Sequence, residues 1–288
     1  MGRTVKPVVL RIEPAGACNF RCTNCPTGQG IVGKVGIMQW SVVEAILENI
    51  GSLAPLNTIV LYHGGEPLLN KSLPEMVKAV RPFCRRIKTV TNGSLITKEN
   101  IREILVNGMD EITISIDGSL AEENDRVRVG CDFRKLVDVV RLVSSEIGTL
   151  RVTANILVSN SDNSDAARDF MLREFAGIRH VTLRQEHVMV WPVQSIGKMN
   201  RTVLRNRCDK IEETITVRWN GDVVPCCYDL ASQSVMGNVL ENSLMDIWNG
   251  TRYGEFRDRI ANFDPPDMCK GCSVLMSTDP YAHREHLV

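Results

Sequence analysis

Val8-Val9-Leu10-Arg11-Ile12-Glu13-Pro14-Ala15-Gly16-Ala17-Cys18-Asn19-Phe20-Arg21-Cys22-Thr23-Asn24-Cys25 joins a β-branched apolar run, a Pro/Gly turn and three cysteines at C-x3-C-x2-C spacing. The run Val8–Glu13 reads as a strand, because short β-branched stretches bounded by turn residues favour extended backbone. The loop after it crowds three thiols. Thiolates are the usual protein ligands of iron–sulfur clusters. Three of them leave one iron of a four-iron cluster without a protein ligand, free to bind and cleave another molecule. A structural zinc site instead closes its shell with four ligands, in C-x2-C pairs.

Further along, strand-like runs alternate with amphipathic helical ones. Strands are expected at Thr58–Tyr62, Ile87–Thr91, Glu111–Asp117, Leu150–Val158 and Arg179–Glu186. Helices are expected at Ser41–Ile50, Ser72–Arg81, Thr97–Asn107, Phe133–Ile147 and Ser164–Phe175. Ser41 before Glu44, and Thr97 before Asn100 and Glu103, offer side-chain oxygens to the free amides of a first helical turn. Six strand–helix alternations imply a parallel sheet, as an open doubly wound sheet or a barrel. In both, chemistry gathers at the carboxyl ends of the strands. There lie His63-Gly64-Gly65-Glu66-Pro67, Thr91-Asn92-Gly93, Ser115-Ile116-Asp117-Gly118 and Arg184-Gln185-Glu186-His187, with Asn155 on the fifth strand. One such polar cluster is an ordinary turn; a whole rim of them is a binding site.

The 288 residues suffice for a full core and a second, smaller unit. With 34 basic and 34 acidic side chains, nothing suggests an electrostatic grip on nucleic acid or anionic lipid. No signal peptide opens the chain, and no stretch approaches the roughly 18 apolar residues of a membrane span. Ten cysteines without a secretory context point to metal or redox chemistry rather than disulfides. The reading is a soluble, cytoplasmic protein.

The chain resembles the radical S-adenosylmethionine (SAM) superfamily, and its tail resembles the SPASM/twitch subgroup. The resemblance implies an α/β fold: a partial (β/α)6 barrel over residues 1–192 and a small C-terminal hairpin/helix twitch domain over 193–288. It implies that Cys18, Cys22 and Cys25 hold a 4Fe–4S cluster whose open iron chelates SAM. One electron then splits SAM into a 5′-deoxyadenosyl radical that takes a hydrogen atom from the substrate. Gly64, Gly65, Glu66 and Pro67 look like the GGEP motif that engages the SAM amino group. Asn92, Ser115, Asp117, Arg128 and Asn155 are placed like other SAM contacts. Many members carry an aromatic residue before the third cysteine, near the adenine; here it is Asn24, so backbone near Val188–Val190 is the substitute. Gly28-Gln29-Gly30-Ile31-Val32-Gly33 spells G-x-G-x-x-G, but no strand leads directly into it and no helix opens on it, as a dinucleotide site requires.

After about Pro192 the pattern changes. A linker-like stretch precedes two short strands, Thr214–Trp219 and Val223–Cys226, joined through Asn220-Gly221, a strong hairpin signal. Helical runs Ser243–Trp248 and Thr251–Ala261 lead to Cys269-Lys270-Gly271-Cys272. By the subgroup resemblance, Cys208, Cys226, Cys269 and Cys272 ligate an auxiliary 4Fe–4S cluster. Cys227 is an alternative to Cys226, and structural zinc an alternative to the cluster.

A fully ligated auxiliary cluster suits electron transfer. The expected activity is dehydrogenation of a secondary alcohol in an aminocyclitol or amino sugar, as in antibiotic pathways, with the auxiliary cluster taking the second electron. Glu13, Arg184, Glu186 and His187 are candidate bases. A radical epimerase is the runner-up and would need a hydrogen-atom donor such as Cys131, Cys84 or Cys227; Cys84 and Cys131 otherwise read as packing residues. Modification of a ribosomal peptide is the third reading, weakened because only seven residues precede the first strand. Expected partners are a small polar substrate and a flavodoxin- or ferredoxin-type electron donor, with no nucleic acid and no membrane.

Overall fold

The structure is a computed structural model and describes residues 6–118, 120–147, 153–160, 165–187, 205–270, 272 and 274–275. Six parallel strands come first: β1 (Val9–Ile12), β2 (Leu56–Val60), β3 (Cys84–Thr91), β4 (Glu111–Asp117), β5 (Thr153–Asn160) and β6 (Val181–His187). Helices α1 (Trp40–Ile50), α2 (Leu73–Val80), α3 (Lys98–Val106), α4 (Ala121–Val127), α5 (Phe133–Ile147) and α6 (Asp165–Glu174) lie between them, α4 and α5 both in the connection from β4 to β5. The strands lie in simple sequence order, β6-β5-β4-β3-β2-β1, which is the arc of a partial barrel.

Alternation along each strand sorts the two faces of the sheet. Leu10, Ile12, Ile59, Leu61, Ile87, Ile112, Ile114 and Ile116 belong to the hydrophobic core, with Val42, Ile46, Val77, Ile104 and Val140 of the helices. The residues between them, among them Arg11, Glu13, Lys88, Thr113, Ser115 and Asp117, therefore face the inner side. Burying the outer face supplies the stability, and the inner face is left for polar chemistry.

Helix starts follow local chemistry in part. Thr97 caps α3 as expected: its hydroxyl accepts from Asn100 N–H at 3.3 Å, and Asn100 Oδ1 accepts from Thr97 N–H at 2.9 Å. Ser41 does not cap α1, which begins at Trp40 after an uncapped Gln39. There the entry is set by tertiary bonds, a bridge between Ala15 and Ile37 and Met38 N–H on the Pro14 carbonyl. Helix α4 escaped the periodicity reading because Ala121–Val127 is short and mostly charged.

The C-terminal part comprises α7 (Asp209–Glu213), β7 (Thr214–Val217), β8 (Asp222–Val224), β9 (Gly237–Asn238), α8 (Leu244–Trp248) and α9 (Thr251–Ala261). The hairpin is present, but it continues the main sheet: β7 pairs in parallel with β1, Val9 against Thr214 through Ile12 against Val217. β8 and β9 then add antiparallel. Under this edge, Tyr253 Oη donates to the Val224 carbonyl at 3.2 Å, and the Arg257 guanidinium lies over the rings of Trp248 and Tyr253. No helix among the described residues is long and apolar enough to cross a membrane.

Candidate active site

The cysteine loop leaves the sheet after β1 and is stitched to two neighbours. Arg21 and Thr23 N–H groups donate to the carbonyls of Val129 and Val127, fastening the loop to the segment after β4. Glu66 N–H donates to the Ala17 carbonyl at 2.9 Å, fastening it to the loop after β2. Gly65 has to be glycine, since a Cβ there would lie 2.2 Å from the Ala17 oxygen and 2.4 Å from that of Ala15. Gly65→Ala is expected to weaken SAM binding about tenfold or more, about 1.4 kcal/mol; equilibrium titration with SAM measures it.

Cys18, Cys22 and Cys25 share one neighbourhood. Burial pushes the Cys22 thiol up to about 11, with the Arg128 charge opposing and the Cys25 and Cys18 thiolates adding to the rise. Burial likewise raises Cys18, against the Phe20 N–H that donates to its sulfur at 3.4 Å. Iron binding drives thiols to thiolates, so three cysteines in one loop are the donor chemistry a cluster takes.

The predicted SAM contacts fall into two groups. Asn92, Asp117 and Arg128 converge on the cysteine loop. Arg128 Nη1 lies 2.7 Å from Asp117 Oδ2, and Asn24 Nδ2 reaches Asp117 Oδ1 at 3.4 Å. Asn24, the residue that departs from the aromatic pattern, thus links the third cysteine's neighbour to the end of β4. Asn92 Nδ2 donates to Asn19 Oδ1 at 2.9 Å. Ser115 is half-buried on the inner face, beside Leu157 in register. Asn155 stands in register with Thr113, and Glu186 with Ser159, which is itself paired with Asp117. His187 follows, paired with Asn160. The side chains of Asn155, Glu186 and His187 lie outside the described residues, as do Val188–Val190.

Glu66 is 2 % exposed and turned inward. Its Oε1 accepts from Thr91 Oγ1 at 2.7 Å and Leu68 N–H at 3.1 Å, and its Oε2 from Asn92 N–H at 2.8 Å. Its carboxylate therefore braces the ends of the second and third strands and starts the short turn at Pro67. The backbone around Gly65 is left as the part of the motif nearest the cysteine loop. Two buried polar atoms beside these loops, Arg128 Nε and Thr27 Oγ1, have no hydrogen-bond partner among the described residues. Buried polar groups normally have partners, so a polar ligand such as SAM suits this place. Thr27 was not singled out in the sequence; a hydroxyl two residues past the third cysteine was the available signal.

Glu13 turns out to be a pin rather than a base. It is 0 % exposed. Oε1 accepts from Gly64 N–H at 2.9 Å and faces His63 Nδ1 at 3.2 Å; Oε2 accepts from Arg218 Nε and Trp219 N–H, both at 3.2 Å. Burial would raise this carboxyl, but His63, Arg218 and the Gly64 amide outweigh it and hold it down at about 2. A carboxylate so engaged is a poor proton acceptor near neutral pH. Cys131, the candidate hydrogen-atom donor, has its sulfur against Asn124 Nδ2 at 3.3 Å and packs on the hydrophobic core. Cys84 packs there too. Arg184 is exposed on β6. Gly30 and Gly33 take positive φ in a turn with no helix behind them, so G-x-G-x-x-G is no dinucleotide site.

The second thiol set also converges. Cys208, Cys226, Cys269 and Cys272 are buried. Burial raises each thiol, Cys208 to about 12, and Cys226 is raised further by Cys227, Cys208, Cys272 and Cys269. Cys227 is half-buried and its carbonyl meets His63 Nε2 at 3.1 Å. The four thiols suit a fully protein-ligated cluster by the same donor argument.

Arg11, which no motif flagged, lies on the inner face within reach of the charges of this set. Its Nη1 donates to the Tyr62 carbonyl at 3.2 Å, its guanidinium lies 4.8 Å over the Tyr62 ring, and Cys227 and Cys226 are among the charges it faces. Arg11 Nε and the hydroxyl of Thr216, its register partner, are buried without a hydrogen-bond partner among the described residues.

A parallel arc thus carries a three-thiol loop on its rim and a second set of four buried thiols at its edge. Residues 12–172 match the family model described as the radical SAM superfamily, and residues 208–273 match SPASM, an iron–sulfur cluster-binding domain. The chain belongs to the radical SAM superfamily and is a radical SAM enzyme, with SAM and two 4Fe–4S clusters as its cofactors. It is 25% identical to the tungsten-containing aldehyde ferredoxin oxidoreductase cofactor-modifying protein of Pyrococcus furiosus, over 94% of this chain and 88% of that one. It is 23% identical to the S-adenosyl-L-methionine-dependent 2-deoxy-scyllo-inosamine dehydrogenase of Niallia circulans, over 92% of each. Its fold is similar to that of BtrN in complex with AdoMet and 2-DOIA, with a TM-score of 0.63, 20% identity and 92% of each chain covered.

Proposed function

We propose that this enzyme dehydrogenates a secondary alcohol of a small polyhydroxylated substrate, of the aminocyclitol or amino-sugar class. The reading is supported most by the second thiol set, four buried cysteines, enough to ligate every iron of a four-iron cluster and so suited to electron transfer. The near end-to-end likeness to an inosamine dehydrogenase supports it further.

In this reading residues 1–192 form the SAM-cleaving barrel and 193–288 the auxiliary part. Cys18, Cys22 and Cys25 ligate the first cluster, and Cys208, Cys226, Cys269 and Cys272 the second. The cofactors supply a 5′-deoxyadenosyl radical, which removes the hydrogen atom from the carbinol carbon, and an acceptor for the remaining electron. The chain's own residues do the rest. The Gly64–Gly65 backbone, Arg128 and Thr27 hold SAM against the cysteine loop. Arg11 and Thr216 offer hydrogen bonds to a substrate oxygen on the side nearest Cys226. The hydroxyl proton goes to a base at the β6 end, Glu186 or His187, so that carbinol becomes carbonyl. The outside electron comes from a flavodoxin- or ferredoxin-type donor, and the setting is cytoplasmic.

Reconstituted protein is expected to hold about eight irons, as two four-iron clusters. Given 2-deoxy-scyllo-inosamine deuterated at each carbinol carbon in turn, one position should pass its label to 5′-deoxyadenosine, and the product should be lighter than the substrate by two hydrogens. In deuterated water, a product of unchanged composition carrying one solvent deuteron on carbon marks an epimerase instead. A second reading, modification of a small-molecule cofactor, is favoured by the likeness to the Pyrococcus furiosus protein. Label transfer from none of the carbinol positions would move the assignment there.

A further inference from the structure

The excursion that carries the three cysteines has a narrow neck. It leaves the sheet at Ala15 and returns at Ile37, where the two residues bridge. Gly16 and Ala17 N–H groups both donate to the Gly36 carbonyl, at 2.8 and 3.2 Å. Trp219, from the turn between β7 and β8, lies across this neck. A Cβ on Gly16 would come within 2.5 Å of its indole, and one on Gly36 within 2.4 Å. Two glycines thus form a seat for one tryptophan from the far end of the chain. The same hairpin reaches the SAM side a second way. Trp219 N–H and Arg218 Nε bind one oxygen of Glu13, whose other oxygen takes the Gly64 N–H. Gly65, next in line, is wedged against the backbone oxygens of Ala15 and Ala17.

We propose that the β7–β8 hairpin is a working part of the SAM-cleaving site, with Trp219 and Glu13 as positioning residues. Trp219 holds the neck of the cysteine loop closed, and Glu13 holds the Gly64–Gly65 backbone against it. The proposal rests on the assignment of this loop as the SAM site. It gives the hairpin a role separate from electron transfer: without the indole, the three thiolates and the glycine backbone lose their mutual spacing, and SAM is held less well.

The test uses the full-length reconstituted protein and needs no substrate. Trp219→Ala should raise the SAM dissociation constant at least tenfold, read from the change in the reduced cluster's electron paramagnetic spectrum on titration. Amide exchange in residues 15–37 should quicken at least tenfold, while peptides from β3 and β4 keep their rates. Trp219→Phe, which keeps a ring on the seat, should recover most of both. Gly36→Ala, which displaces the ring and deletes nothing, should copy Trp219→Ala and serves if that variant does not fold. Wild-type SAM affinity and wild-type exchange of 15–37 in Gly36→Ala or Trp219→Ala overturn the proposal. Absence of substrate oxidation in a wild type that binds SAM normally would touch the dehydrogenase reading alone. Absence of SAM binding in the wild type would refute the site assignment, and the exchange rates would still decide whether Trp219 closes the neck.

Discussion

Cys22→Ala is expected to reduce 5′-deoxyadenosine formation to the detection limit, with iron content falling by about half. The reason lies in the electrostatics of the loop. Cys22 is buried, and burial pushes its thiol up to about 11. Iron binding and the loop's charge state are therefore linked, and removing one ligand leaves two thiols that cannot hold a four-iron cluster open at one corner. The same replacement at Cys18 or Cys25 should do likewise. Cys269→Ala should instead remove the other half of the iron and leave SAM cleavage measurable. Iron analysis with chromatographic detection of 5′-deoxyadenosine under a chemical reductant separates the two outcomes. Persistent 5′-deoxyadenosine in Cys22→Ala would falsify the assignment of the open cluster.

Glu13→Gln should cost about 3 kcal/mol of stability at neutral pH. The carboxyl is held at about 2 against an ordinary value of 4.5, and a shift of about 2.5 units corresponds to about 3 kcal/mol. Losing one partner of a buried charge pair gives a similar figure, about 3–5 kcal/mol. The pH dependence has a definite sign. The folded-state value lies below the unfolded one, so the contribution is complete above pH 4.5 and is lost as pH falls from 4.5 towards 2. The gap in unfolding free energy between wild type and Glu13→Gln should thus be present at neutral pH and shrink across that acid window. Urea unfolding of both proteins at a series of pH values measures it. A gap under about 1 kcal/mol at pH 7 would show that Arg218 and the Gly64 amide find other partners.

Much of this arrangement could be read along the chain. The alternation of β-branched and amphipathic runs is a local signal, and it yielded all six parallel strands and five of the helices flanking them. The cysteine spacing and Gly64-Gly65-Glu66-Pro67 stand out in the sequence because three crowded thiols suit a cluster and the close backbone approach seen at Gly65 admits only glycine. What escaped was set by contacts distant in sequence. Glu13 at a strand end looked like a base because its partners, Gly64 and Arg218, lie 51 and 205 residues away. Arg11 carries no local signal; its setting comes from β7, which places Thr216 beside it, and from the hairpin that brings Cys226 near. The hairpin itself was visible in Asn220-Gly221, but not its parallel pairing with β1, since no local pattern records a strand's second neighbour. Trp219 gave no signal at all. Its importance resides in two glycines elsewhere.

The pairing of β7 with β1 also sets an order of events in time. The cysteine loop is synthesised before the tryptophan that lies across its neck and the arginine opposite Glu13, which come about 200 residues later. At roughly 5–20 residues per second, about 10–40 s separate the two. Through that interval the three thiols are made but their enclosure is not. Until the β7–β8 hairpin has docked, Glu13 lacks Arg218 and the Gly16–Gly36 seat lacks its indole.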